Sequence, residues 1–289
     1  MPPRFDTVSF LSDYGLQDEF VGVVKAVIRS MAPHVTVLDV THSIAAHDVR
    51  AGALALARSI QYLPAGVVLA VVDPGVGSDR RAIAVEVGSE ADEAPAVSAN
   101  GEAGGGGDRA VFLGPDNGLL ASAVALAGGA RRAVSLTNTD YHLDAPGPTF
   151  AGRDIFAPAA AHLSNGVDVA ELGELIDPYS LLPGIVPLSR EEDGALVGEV
   201  LWVDRFGNAQ LNVGPDEVAA MGDRVLVRIG DKAPRLALRV TSYAALKAGQ
   251  VGLVVDSYGL LAVALNRRSA AEELRIGSGD PVTLQPAPE

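Results

Sequence analysis

The stretch Asp73-Pro74-Gly75-Val76-Gly77-Ser78-Asp79-Arg80 follows an unbroken apolar run and sets a carboxylate and a guanidinium seven residues apart across a glycine-rich turn. Such a pair can hold and polarise a water molecule. It can equally be a structural ion pair closing a tight turn. A dinucleotide phosphate loop is excluded, because that motif needs G-x-G-x-x-G opening a helix and residues 82–87 read as another strand. A second carboxylate, Asp13 in Phe10-Leu11-Ser12-Asp13-Tyr14-Gly15, ends the first strand, where α/β folds bind ligands. There it could accept two sugar hydroxyls, or serve only a turn; Asp18, just ahead of a helical pattern, fits an N-cap. The blocks Gly114-Pro115-Asp116-Asn117-Gly118-Leu119-Leu120 and Pro148-Thr149-Phe150-Ala151-Gly152-Arg153-Asp154 are turns running into helices, and the first is explained by turn chemistry alone. Asp204-Arg205-Phe206-Gly207-Asn208 combines an acid, an aromatic and an amide that could bind an ammonium and cover a base; a hairpin turn would use the same Asp, Gly and Asn.

The elements that must position these groups change character along the chain. In the first half, strands at 7–11, 35–40, 67–72, 82–87, 110–113 and 133–136 alternate with helical patterns at 19–31, 48–62, 118–127 and 155–163. This predicts an α/β domain over 1–180 with a mostly parallel central sheet. Residues 88–109, with four successive glycines and no apolar period, read as a flexible insertion. Residues 181–194 read as a linker, and the short β runs at 198–203, 224–229, 235–240, 251–255, 260–265 and 281–284 predict a smaller all-β domain over 195–289.

Composition narrows the chemistry. The 289 residues contain no cysteine, which removes disulfides, thiol nucleophiles and Cys-ligated zinc. A formal charge of −14 with no Lys/Arg cluster argues against nucleic acid and for a small ligand, which could carry positive charge. His34, His42, His47, His142 and His162 lack metal-ligand spacing, so no metal is expected. The sequence has neither a secretory leader pattern nor a membrane-length apolar run, and a cytoplasmic protein is expected.

Taken in order from Phe10 to about Arg267, the blocks FLSD-x-G, VLDVTHSI, VDPGVGSDRR, GPDNGLL, PTF-x-GRDIFAPAAAHL and DRFGN resemble the S-adenosyl-L-methionine (SAM) hydroxide adenosyltransferases, hydrolases related to the fluorinase and chlorinase. The resemblance implies an α/β domain followed by a β domain, homotrimers with active sites at subunit interfaces, and SAM as substrate with no cofactor. It implies that Asp13 holds the ribose hydroxyls and that Asp18 and Asp204 hold the methionine ammonium. Ser257 lies where the methionine carboxylate is bound, with Tyr258 where halogenating relatives carry Arg. By the same resemblance, Phe206 and Asn208 would contact adenine with the backbone near Asn266 and Arg267, Phe150 would lie against the ribose near C5′, and His47 would stand where the halogenases have an aromatic.

The resemblance places Asp73 and Arg80 where the halogenases have a neutral, hydroxyl-lined pocket. A carboxylate facing bound chloride repels it with an energy of roughly 332/(εr), several kcal/mol at low effective dielectric, whereas water can donate to it. Hydrolysis to adenosine and L-methionine is therefore expected. Halide-dependent adenosyl transfer and non-catalytic SAM or adenosine binding are the alternatives. The departure is Ala151: hydrolases of the family resemble T-F-H-G-R-D, where His completes an Asp–Arg–His set, and this chain reads T-F-A-G-R-D. An impaired hydrolase is expected from that vacancy.

Overall fold

In the computed structural model, which describes residues 2–88 and 110–288, the chain forms two compact units, Met1–Ile185 and Val186–Glu289. Apart from Gly88, the expected insertion lies outside the described residues.

The first unit contains β1 (Thr7–Ser12), α1 (Phe20–Met31), β2 (Thr36–Thr41), α2 (Val49–Ser59), β3 (Val67–Val71), β4 (Ala82–Val87), β5 (Val111–Pro115), α3 (Ala121–Leu126), β6 (Ala130–Ser135), α4 (Ala157–Ser164) and β7 (Glu174–Ile176). The strands form one sheet in the order β2-β1-β3-β5-β4-β6-β7. It is parallel over β2-β1-β3-β5 and antiparallel over β5-β4-β6-β7. A helical crossover keeps successive strands parallel. Between β3 and β4 the chain makes only the turn 72–81, so β4 runs back the other way.

Side chains alternate across the sheet into two cores. Phe10, Leu69 and Val71 pack with Val21, Val24 and Ile28 of α1 and with the small Ala157, Ala160 and Ala161 of α4. Leu11, Val68 and Ala70 pack on the other face with Leu56 of α2 and Ala123 and Val124 of α3. Every residue of β3 is buried, as its unbroken apolar run requires.

The expected helix at 155–163 has a different start. Gly152–Phe156 form a π turn before α4, and the N–H of Ala157 bonds the Gly152 carbonyl five residues back. Pro158 has no N–H to give the Asp154 carbonyl, so the ladder widens there. The Asp154 carbonyl instead accepts from Leu143 N at 2.9 Å.

The second unit contains β8 (Arg190–Glu192), β9 (Ala195–Val203), β10 (Ala209–Leu211), β11 (Arg224–Ile229), β12 (Arg235–Val240), β13 (Val251–Val255), β14 (Leu261–Leu265), α5 (Ala270–Leu274) and β15 (Pro281–Pro286). The order β10-β14-β13-β12-β11-β15-β9 closes through β9–β10 into a seven-stranded barrel, with β8 added outside β9. Thus part of the stretch expected as a linker, 190–192, is a strand. The strands missing from the sequence reading, β7, β8 and β10, have three residues each, too few to show alternation. No helix among the described residues is long and apolar enough to cross a membrane.

Glu86 of β4, 1% exposed, ties the antiparallel half together by accepting from Arg4 Nη2 at 2.8 Å and Arg132 Nε at 2.6 Å. Burial by itself raises its pKa, but hydrogen bonds from Arg132 and Arg4 outweigh burial and hold the carboxyl below the ordinary 4.5. The folded value is depressed, so the stabilisation is complete above the unfolded pKa and lost as pH falls through the folded one. Urea midpoints should therefore fall as pH is lowered below the ordinary carboxyl value of 4.5, and Glu86→Gln should flatten that slope; parallel slopes for the two proteins would refute it.

Candidate active site

Asp73 leaves the C-terminal end of β3, and Arg80 returns beside it from the turn that leads into β4. Arg80 Nε and Nη2 donate to the two Asp73 oxygens at 2.9 and 2.5 Å, and the side chains are only 14% and 6% exposed. The turn is built for this fork. Val76 N bonds the Asp73 carbonyl, Ser78 N bonds the Gly75 carbonyl, and Gly77 adopts φ +79°. A Cβ at Gly75 would press on Arg80 Cγ at 3.1 Å. The Arg80 guanidinium lies 5.6 Å from the Phe156 ring centre. Asn117 Nδ2 donates to the Val72 carbonyl at 2.9 Å, and Arg81 grips Asp116, so the block 114–120 braces the end of β3, the structural role its turn chemistry suggests.

Asp73 shares a cavity of about 730 Å³ with Asp13, Tyr14, Phe20, His47, Phe150 and Ala151. Asp13 follows β1, and one of its oxygens accepts from His47 N at 2.9 Å. His47 has φ +68°, a strained backbone for a residue with a Cβ, kept where the chain bends toward Asp13. Phe150 meets Tyr14 and Phe20 edge-on, at 5.7 and 5.1 Å between ring centres, and makes an aromatic wall. Ala151, 5% exposed, starts the π turn.

Asp18 is not among the residues lining this cavity. It is exposed ahead of α1, and it is not the N-cap either, because Glu19 takes that position without a side-chain bond. In the second unit, Asp204 Oδ1 accepts from Phe206 N and Asn208 N, and Asp204 Oδ2 accepts from Asn208 Nδ2, each at 2.8 Å. That turn leaves Phe206 76% exposed. Ser257 and Tyr258 occupy a turn organised by Asp256, which accepts from Tyr258 N and Leu260 N. Asn266 Nδ2 bonds the Leu246 carbonyl at 2.7 Å, and Arg267 has φ +56°.

The sequence reading missed Tyr14. Burial, then the charges of Asp13 and Asp73, push its pKa well above the ordinary phenol value, so the hydroxyl stays protonated. The only sequence signal was its place inside the block that supplies Asp13. A Ser12–His42–Asp39 chain is also present, with His42 Nδ1 2.8 Å from Ser12 Oγ and Nε2 3.1 Å from Asp39. Ser12 is fully buried, which makes this array a brace between β1 and β2 and not a nucleophile. Among the described residues no three His, Asp or Glu side chains gather as a metal site requires.

A family model described as the SAM hydroxide adenosyltransferase N-terminal domain matches residues 8–93 and 106–173. Its C-terminal counterpart matches residues 198–283. An (R)-S-adenosyl-L-methionine hydrolase of Salinispora tropica is 41% identical, over 94% of this chain and 95% of its own. A fluorinase of Actinoplanes is 30% identical, over 97% of each chain. The crystal structure of an uncharacterized conserved protein from Thermotoga maritima superposes with a TM-score of 0.80 at 32% identity, covering 96% of this chain and 99% of that one.

Gly152 tests the packing of the cavity wall, because a Cβ there would meet Tyr14 Oη at 2.2 Å. Gly152→Ala should cost about 1–3 kcal/mol in urea unfolding. The same substitution should cost much less in a Tyr14→Ala background; additive losses would contradict the contact.

Proposed function

Because the chain belongs to the SAM hydroxide adenosyltransferase family, we propose that it hydrolyses S-adenosyl-L-methionine to adenosine and L-methionine by in-line attack of water on the ribose C5′. The observation that carries this reading is the Asp73–Arg80 fork on the wall of a cavity that also presents Asp13 and Phe150. A water that donates one O–H to Asp73 has its lone pair free for C5′. Arg80 fixes the direction of the carboxylate, and the sulfonium is already a good leaving group, so no general acid is needed. Rate enhancement then comes from positioning and from excluding bulk water. The same carboxylate would repel chloride or fluoride at that point.

Asp13 is assigned to the ribose hydroxyls, Phe150 to the face beside C5′, and His47 to the neighbouring wall. Asp18 and Asp204 are assigned to the methionine ammonium, and Ser257 and Tyr258 to its carboxylate. Phe206, Asn208 and the backbone at Asn266 and Arg267 are assigned to adenine. The exposure of the Phe206 ring supports a stacking role. The family resemblance further supports a homotrimer, which light scattering would report as three chain masses; a monomer would count against it.

Incubation with SAM, with and without chloride, should release adenosine at the same rate; a product that requires chloride, or no product, would overturn the reading. Asp73→Asn should lower kcat by about 10²–10⁴-fold, the range for a positioned proton acceptor. Ala151 stands where the family resemblance implies an imidazole beside the fork, so slow turnover is expected. Ala151→His should raise kcat, and an unchanged or lower rate would show that position 151 is not a vacated catalytic position.

A further inference from the structure

Tyr14 packs among three phenylalanines. Its ring meets those of Phe10, Phe20 and Phe150 at 6.4, 5.8 and 5.7 Å between centres. These contacts need a ring and not a hydroxyl, so phenylalanine would satisfy all three. The hydroxyl calls for an explanation of its own. Among the described residues Tyr14 Oη has no hydrogen-bond partner, and it does not belong to the polar atoms sealed from solvent. A phenol enclosed by apolar rings usually finds a partner. Here that partner has to come from the contents of the cavity that Tyr14 lines.

The place of the oxygen is set by a close approach to backbone. A Cβ at Gly152 would overlap Tyr14 Oη and come within 3.1 Å of Cζ, so glycine is what lets the hydroxyl rest there. Gly152 follows Ala151, and both line the cavity together with Asp73. Ala151 also lines a second cavity, of about 620 Å³, whose wall includes Arg80. Tyr14 Oη thus lies on the stretch of wall that borders the Asp73–Arg80 fork. Burial first, then the Asp13 and Asp73 carboxylates, keep the phenol protonated against the opposing pull of Arg80. It is a neutral hydroxyl with lone pairs free to accept.

We propose that the Tyr14 hydroxyl is the second protein group that holds the attacking water, accepting one of its O–H bonds while Asp73 accepts the other. The inference rests on the hydrolase reading above. With both hydrogens engaged, a lone pair of the water is left for C5′. The water oxygen bonds to C5′, and the C5′–S pair leaves on sulfur as the neutral thioether of methionine. One proton is released on the Asp73 side and passes to bulk water. Tyr14 neither gains nor loses a proton in the step, so its contribution is direction alone.

The proposal sets function against stability in one substitution. Tyr14→Phe keeps the three ring contacts and deletes only the oxygen. No protein hydrogen bond is lost, so the urea midpoint should be unchanged or higher. Asp13, His47, Asp73 and Arg153 stay on the cavity, so the pH profile of kcat should keep its shape.

The experiment measures adenosine release by wild type and Tyr14→Phe across pH, with urea unfolding and adenosine binding for both. Expected is a fall in kcat of about 3- to 10-fold, the worth of one uncharged hydrogen bond, with KM changed less than about twofold. A wild-type kcat in Tyr14→Phe overturns the inference. So does a rise in KM and in the adenosine Kd with kcat unchanged, which would assign the hydroxyl to the ribose. A lower urea midpoint also overturns it, because the oxygen would then serve the fold. If the wild type forms no adenosine, the hydrolase reading fails instead, which keeps the two failures apart.

Discussion

Two opposite charges held against each other at the end of a buried strand set the terms for the rest of the first unit. Removing a carboxylate and a guanidinium from water costs several kcal/mol per ion, and only near-ideal geometry recovers it. The Asp73–Arg80 fork has that geometry because β3 is fixed on both faces, the turn at Gly75 and Gly77 lets Arg80 fold back, and Phe156 supplies a ring for the guanidinium. The neighbouring strand ends repeat the theme: Asn117 takes the Val72 carbonyl, and Asp13 takes the His47 amide. The site is thus made of groups whose hydrogen bonds were needed to finish the sheet edge. Their chemistry comes from the directions those bonds leave open.

The parallel half of the sheet brings β1 and β3 to one edge with their carboxylates side by side, which is the usual ligand position of an α/β fold. The antiparallel half contributes differently. By reversing direction after the turn at 72–81, β4 delivers Arg80 to the edge that Asp73 has just left. A helical crossover there would have carried the chain away from Asp73 first. Mixed topology is therefore part of how the fork is assembled.

Much of this was legible in the residues. Asp73, Arg80 and Asp13 were singled out from local blocks, and His47, Phe150 and Ala151 through the family resemblance; they line or adjoin one cavity. Long apolar or amphipathic runs located most of the elements, because burial on one face or both leaves a period in the sequence. What failed was whatever depends on a single bond or a distant partner. Asp18 looked like a cap but Glu19 holds the position; β7, β8 and β10 exist only through their neighbours; Tyr14 matters through Gly152, far away in sequence. The π turn was invisible for a similar reason. Its cause, Pro158, was visible, but the acceptor it abandons lies in the middle of the preceding motif.

That abandoned acceptor links two segments that a linear reading treats as separate. Inside a regular helix the Asp154 carbonyl would be spent on its own fourth neighbour; here it is the anchor of the strand of chain passing through Leu143. Pro158 thereby exports a hydrogen bond from the helix to the loop. Pro158 leaves the Asp154 carbonyl free for the loop, and any residue at 143 except a second proline can hold it there.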